Sequence, residues 1–171
     1  MKLLWTIAVK AVTFVLLAVC GTLVIFDSSS WMGAVATGIV MVISFPLSAI
    51  LHELGHTLFG AAVKIKAVPD KDFLKQTLLN WWDASSCKII PGTEEGLRGR
   101  IIFTAIGGAA VNSLFIVLGI VALCVDAVPT ELCALLPASF NLLALNALPF
   151  NFDGGKSDGA VIAELIKNGD A

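Results

Sequence analysis

The sequence predicts an all-α polytopic membrane protein, with about four transmembrane helices that form one domain over residues 1–171. Hydrophobic residues make up 57% of the chain and charged residues only 14%, whereas roughly 25% of the residues in soluble proteins are charged. The mean hydropathy is +0.91. Apolar runs recur along the chain, and all 11 Lys and Arg residues fall on one side of the topology that those runs imply.

The first predicted helix covers about residues 3–26, enough to cross roughly 30 Å of hydrocarbon. A signal peptide with a lipoprotein-like cleavage site at residues 17–20 is the competing interpretation. Val19 is bulky where such a site requires a small residue, Lys10 interrupts the apolar core, and hydrophobicity continues beyond Cys20. We therefore expect a retained transmembrane helix.

The second helix, about residues 33–62, contains Pro46, which should kink it by removing a backbone hydrogen bond. The loop over residues 64–100 is the one sizeable segment outside the membrane. It contains candidates for two short strands, at 63–67 and 87–90, and a helix-like stretch with tryptophans, 73–82, that suits the membrane interface. A loop without order is the alternative.

The third and fourth helices are predicted at about residues 101–125 and 132–149, with a tail over 156–171 that contains a helix-like stretch. The two turns on the opposite side hold only acidic charges, at Asp27, Asp126 and Glu131. The positive-inside rule therefore places both termini and the long loop in the cytoplasm. The expected location is the plasma membrane of a prokaryote.

Two kinds of site are not indicated by the composition. The chain has no basic surface of the kind that nucleic acid requires. Its four cysteines form no Cys-x-x-Cys pair, so neither a thiolate zinc site nor a disulfide framework is predicted. Cys124 and Cys133 flank one short loop, and the sequence leaves open whether they pair.

His52 and His56, the two histidines of the chain, lie with Glu53 in a His-Glu-x-x-His sequence inside an apolar run. Residues four apart share a helix face, so both imidazoles can bind one metal ion while Glu53, about 100° further round, stays free as a general base. Zinc also requires a third protein ligand and an open position for water. Such residues are costly in hydrocarbon, which favours a functional origin over a chance match.

Asp153 is the predicted third ligand, because the fourth helix descends toward the cytoplasmic half of the bilayer, where the histidines should lie. Gly154 and Gly155 allow the backbone to unwind there, and irregular backbone at membrane depth is tolerated only where it lines a cavity. A polar exit turn over residues 151–159 is one alternative. Another is a membrane zinc protease whose third ligand is a Glu, with Glu94, Glu95 and Glu164 as candidates.

Three motifs in order carry a family resemblance: His-Glu-Leu-Gly-His at 52–56, Gly108-x-x-x-Asn112, and Asn146-x-x-Pro149-x-x-x-Asp153-Gly154. From residue 48 to about 155 the chain resembles the site-2 protease family of intramembrane zinc metalloproteases, whose catalytic core has three helices. The resemblance implies that His52, His56 and Asp153 hold Zn²⁺ and that Glu53 is the general base. It also implies that the Asn112 amide stabilises the oxyanion and that the Asn146 amide binds the substrate.

The implied function is that of a zinc-dependent intramembrane endopeptidase, as in regulated intramembrane proteolysis. The expected partners are the lipid bilayer and a substrate that is a single-span membrane protein or peptide. A membrane regulator and a homo-oligomer are further candidates, and nucleic acid is not an expected partner. A non-proteolytic relative that acts as a binding module is the alternative, which an intact Glu53 disfavours. Three departures from the family leave substrate selection open: Gly107-Gly108 stands where many members have Gly-Pro, Phe152 replaces the common Leu before Asp-Gly, and no PDZ or CBS domain is expected.

Overall fold

The computed structural model describes residues 2–27, 31–69, 87–90, 96–125, 130–152 and 155–168. Within these ranges the chain is mostly helical, as predicted. The elements in order are α1 (Lys2–Asp27), α2 (Trp31–Ala62), β1 (Lys66–Pro69), β2 (Cys87–Ile90), α3 (Leu97–Cys124), a 3-10 helix (Thr130–Ala134), α4 (Leu135–Ala147), β3 (Asn151–Phe152), β4 (Gly155–Lys156) and α5 (Asp158–Asn168).

Within the described ranges, three helical stretches are long and apolar enough to cross a membrane: Leu3–Val24, Gly38–Ala62 and Leu97–Cys124. The predicted fourth span over 132–149 is not confirmed, because the helical segment there, Leu132–Ala147, is shorter. At about 1.5 Å per residue it covers roughly 24 Å, less than the roughly 30 Å of a hydrocarbon core. The helices therefore indicate a membrane protein with three candidate spans, and its orientation stays a prediction.

β1 and β2 form a two-stranded antiparallel sheet, with Lys66 opposite Ile90. The second strand is the predicted one, but the first begins at Lys66 and not at residue 63. The reason is the end of α2, where the Ile65 N–H donates to the Gly60 carbonyl at 2.8 Å and Lys64 adopts a left-handed φ of 57°. Residues 63–65, which the sequence predicts as the start of the strand, therefore belong to this turn.

α2 packs mainly against α3, and the two backbones come very close where Gly55 faces Gly107. A Cβ on either glycine would collide with the carbonyl oxygen of the other. Small residues at such crossings are what allow transmembrane helices to approach closely. The buried face of α3 is made of small or polar residues: Thr104, Ala105, Gly107, Gly108, Asn112, Gly119 and Ala122. Thr104, Gly108 and Asn112 of this face lie against the histidines of α2.

Three further predictions concern Pro46, the interfacial helix and the cysteines. Pro46 lies inside α2, which runs unbroken from Trp31 to Ala62, and the kink stays a prediction. The predicted interfacial helix at 73–82 lies outside the described residues. Cys133 is buried with its Sγ 4.0 Å from the carbonyl oxygen of Cys20, whereas Cys124 is exposed. Among the described residues, no disulfide joins Cys124 to Cys133.

Candidate metal centre

His52 and His56 lie one turn apart on the buried face of α2, and both side chains are at most 2% exposed. Their Nε2 atoms are 3.2 Å apart, and the ring centroids are 4.8 Å apart with the planes nearly perpendicular. His56 precedes the end of α2 at Ala62 by six residues, or roughly 9 Å. The pair therefore lies within the candidate span and near one end of it.

A carboxylate from the other end of the chain meets both imidazoles. Asp158, the first residue of α5, places Oδ2 3.2 Å from His52 Nε2 and Oδ1 3.3 Å from His56 Nε2. Burial alone would raise the pKa of the Asp158 carboxyl, but the two imidazoles lower that pKa to about 2. The carboxylate is therefore ionised at neutral pH, which is the form that binds a metal.

The donor atoms have the spacing of a tetrahedral zinc site. Ligands about 2.0–2.1 Å from a tetrahedral ion lie roughly 3.3 Å from one another. The two Nε2 atoms are 3.2 Å apart, and they lie 3.2 and 3.3 Å from the two different oxygens of the Asp158 carboxylate. Beside them, a Cβ at Gly108 would lie 2.6 Å from His52 Nε2 and 2.7 Å from His56 Nε2. Glycine therefore leaves open the space next to both donor nitrogens.

The other nitrogen of each ring also has a partner. His56 Nδ1 is 2.9 Å from the carbonyl oxygen of Thr104. A carbonyl oxygen only accepts, so Nδ1 carries a proton and Nε2 is the nitrogen that could bind a metal. His52 Nδ1 is 2.9 Å from the side-chain amide of Asn112. A hydrogen-bond acceptor at the second ring nitrogen, as Thr104 supplies to His56, fixes the orientation of a metal-binding histidine and raises its basicity.

Glu53 is buried beside the pair, and one donor atom from each of His52, Glu53 and His56 lies within 4.8 Å of the others. Neither Glu53 carboxyl oxygen has a hydrogen-bond partner among the described residues. Burying a carboxyl group without partners is costly, and such groups are rare unless an ion, a water or a function explains them. The residues present therefore fit a bound zinc ion with Glu53 at its side.

Ser157 and Gly159 hold Asp158 in place. The Ser157 hydroxyl donates to the Leu148 carbonyl and accepts from the backbone N–H of Phe150 and Ala160, which caps α5 and ties it to the end of α4. A Cβ at Gly159 would collide with the backbone at Ala147. Ser-Asp-Gly thus acts as a unit in which the serine caps the helix and the glycine permits its close approach.

Ser157→Ala should weaken zinc binding several-fold, because it removes the cap of α5 and leaves two backbone donors and one acceptor without this partner. Loss of a helix cap costs about 1 kcal/mol. Titration of the purified chain with zinc in competition with a chromophoric chelator measures the effect. Ser113→Ala is the matched control, since that exposed hydroxyl bonds only within α3. Equal affinities for the two variants would contradict the capping role.

The structure places the predicted site residues as follows. His52, Glu53, His56 and Asn112 come together. Asp153 lies outside the described residues, and so do Glu94 and Glu95, two of the alternative third ligands. The third alternative, Glu164, is about half exposed and pairs with Lys156. Asn146 is buried near the end of α4, and its amide nitrogen has no partner among the described residues.

Asp158 is the site residue that the sequence interpretation missed. A signal for it exists, because Asp158-Gly159 is a second Asp-Gly pair only five residues after Asp153-Gly154. The serine before it and the apolar residues after it also mark a helix start. The depth of the fourth helix and the family motif had both favoured the first pair.

Comparisons of the chain with protein-family models, with curated proteins and with solved structures found no match. The function is therefore inferred from the geometry of the site and from the motifs.

Proposed function

We propose that the chain is a zinc-dependent intramembrane endopeptidase of the site-2 protease type. The observation that carries the proposal is the contact of the buried His52 and His56 with the partly exposed Asp158 carboxylate, at zinc-like separations, beside a Glu53 carboxyl that has no hydrogen-bond partner among the described residues. The two histidines and Glu53 belong to a helix that is long and apolar enough to cross a membrane. A site in that position acts on a peptide that reaches it from the bilayer.

His52, His56 and Asp158 would hold the ion. Zinc, when bound, supplies Lewis acidity, which makes water acidic enough to lose a proton near neutral pH and polarises a peptide carbonyl. Glu53 acts as the general base that accepts the proton of the attacking water and then delivers it to the leaving amine. The buried surroundings strengthen each of these electrostatic interactions.

The substrate is proposed to be a transmembrane or membrane-associated peptide. A hydrogen-bonded helix hides its carbonyl groups from attack, so the peptide must unwind locally before cleavage. Asn146 is proposed to hold the unwound strand. The orientation with both termini in the cytoplasm, which follows from the distribution of Lys and Arg, would open the site toward the cytoplasm.

Metal removal tests the proposal. The purified full chain, incubated with a panel of single-span membrane peptides, should cleave at least one of them, because the site holds both a metal-binding triangle and a base. A zinc chelator should reduce cleavage below detection, and added zinc should restore it. The measurement is the appearance of peptide fragments by mass spectrometry.

A non-proteolytic binding module is the competing function, and the same experiment separates it. Such a module would bind peptides with no fragments under any metal condition. Cleavage that persists unchanged in the chelator, after zinc content has fallen to background, would contradict the role of the metal. Nothing in a binding role explains a buried Glu53 whose oxygens have no partner among the described residues.

A further inference from the structure

A chain of buried polar side chains runs behind His52 and crosses three helices. His52 Nδ1 on α2 is 2.9 Å from the amide Nδ2 of Asn112 on α3, and Asn112 Oδ1 is 3.4 Å from the hydroxyl of Ser48. That hydroxyl is 3.0 Å from the hydroxyl of Ser139 on α4. Asn112, Ser48 and Ser139 are fully buried. Polar groups at such depth are costly unless they are hydrogen-bonded, so this chain needs a role.

Zinc binding determines the direction of these hydrogen bonds. Nε2 of His52 can bind a metal only through its lone pair, so the ring proton must reside on Nδ1. Asn112 must then present its oxygen to His52. A 180° rotation of the amide group achieves this by exchanging the positions of Oδ1 and Nδ2. The amide nitrogen then donates to Ser48, and the Ser48 hydroxyl can donate to Ser139. Each neighbouring pair in the chain then has one donor and one acceptor.

The two metal-binding histidines are oriented by different means. The proton on His56 Nδ1 is held by the main-chain carbonyl of Thr104, which no single side-chain substitution removes. The proton on His52 Nδ1 depends on the side chain of Asn112. The orientation of His52 is thus the one that a substitution can disturb.

We infer that Asn112 is a positioning residue for His52, and that Ser48 and Ser139 hold its amide in the orientation that zinc binding requires. Asn112 contacts the ring nitrogen that faces away from Asp158, so it acts on the metal through the imidazole. The inference rests on the proposed metal site but not on peptide cleavage. It differs from the oxyanion role implied by the family resemblance, which requires the amide to touch the substrate.

Zinc affinity of conservative and non-conservative variants tests the inference. In a competition titration with a chromophoric chelator, Asn112→Leu should bind zinc 10- to 100-fold more weakly than the wild type, the usual effect of losing such a partner. Asn112→Asp should keep or exceed the wild-type affinity, because a carboxylate also accepts the Nδ1 proton. Ser139→Ala should lower the affinity a few-fold by leaving Ser48 without its partner.

Asn141→Leu is the matched control, with the same substitution at an equally buried Asn on α4 that has no hydrogen-bond partner among the described residues. It should bind zinc like the wild type. Wild-type affinity in Asn112→Leu, or an equal loss in Asn112→Leu and Asn112→Asp, would overturn the inference. Because the readout is zinc binding, the expected pattern supports it even if no peptide is cleaved. A wild-type chain that binds no zinc overturns the metal site and this inference together.

Discussion

Asp158→Asn should lose zinc and peptide cleavage together. The substitution keeps the size of the side chain at the start of α5 but removes the negative charge that faces His52 and His56 at 3.2 and 3.3 Å. Two histidines alone make an incomplete site, since zinc takes three protein ligands in catalytic centres. The loss of affinity should exceed the roughly 10- to 100-fold effect of removing an outer hydrogen-bond partner.

Asp153→Asn is the matched comparison, because it makes the same change in the other Asp-Gly pair of the chain. It should bind zinc like the wild type if Asp158 is the third ligand. The motif of the family resemblance favours the reverse result, in which Asp153→Asn loses zinc and Asp158→Asn retains it. Zinc per chain, measured by elemental analysis after exhaustive dialysis, distinguishes the two. The reverse result would contradict the proposed ligand set while leaving a zinc protease in place.

Gly108→Ala should also abolish zinc binding, with no change to any ligand. The added Cβ would lie 2.6 Å from His52 Nε2 and 2.7 Å from His56 Nε2, well inside the ordinary contact distance of about 3.5 Å between carbon and its neighbours. Either the imidazoles turn away or α3 moves back, and both changes disrupt the donor triangle. We expect zinc affinity to fall by more than 100-fold and cleavage to fall below detection.

Gly99→Ala is the control for this prediction, because a Cβ at that position of α3 meets nothing within 4 Å. Alanine is favoured over glycine in a helix by about 1 kcal/mol, so this variant should be as stable as the wild type or more so. Circular dichroism of the metal-free chains should show the same helix content for both variants. Zinc binding by Gly108→Ala at wild-type affinity would show that the ion does not occupy the space beside this glycine.

Local sequence patterns predicted the part of the site that lies on one helix. His52, Glu53 and His56 are related by helical geometry alone, so their burial and proximity follow from the spacing. The Gly108-x-x-x-Asn112 motif likewise places both residues on one face of α3, the face that meets the histidines. These predictions needed only the period of the helix.

The choice between the two Asp-Gly pairs for the proposed third ligand depends on tertiary structure, which the local pattern of either pair does not determine. Whether Asp153 or Asp158 reaches the histidines is set by the β3–β4 hairpin, by the cap at Ser157 and by the path of α5 back toward α2. In the same way, the first strand shifted because α2 ended in a left-handed turn at Lys64. The fourth helix proved short because it begins only after the 3-10 segment and ends at Ala147.

Glu53→Gln tests the central claim most directly, when zinc content and peptide cleavage are measured on the same preparations. The glutamine keeps the shape of the side chain but cannot accept a proton, and Glu53 is not among the three residues that would hold the ion. The account predicts the same zinc content as the wild type and no detectable fragments. Cleavage at the wild-type rate by Glu53→Gln would contradict the proposed function.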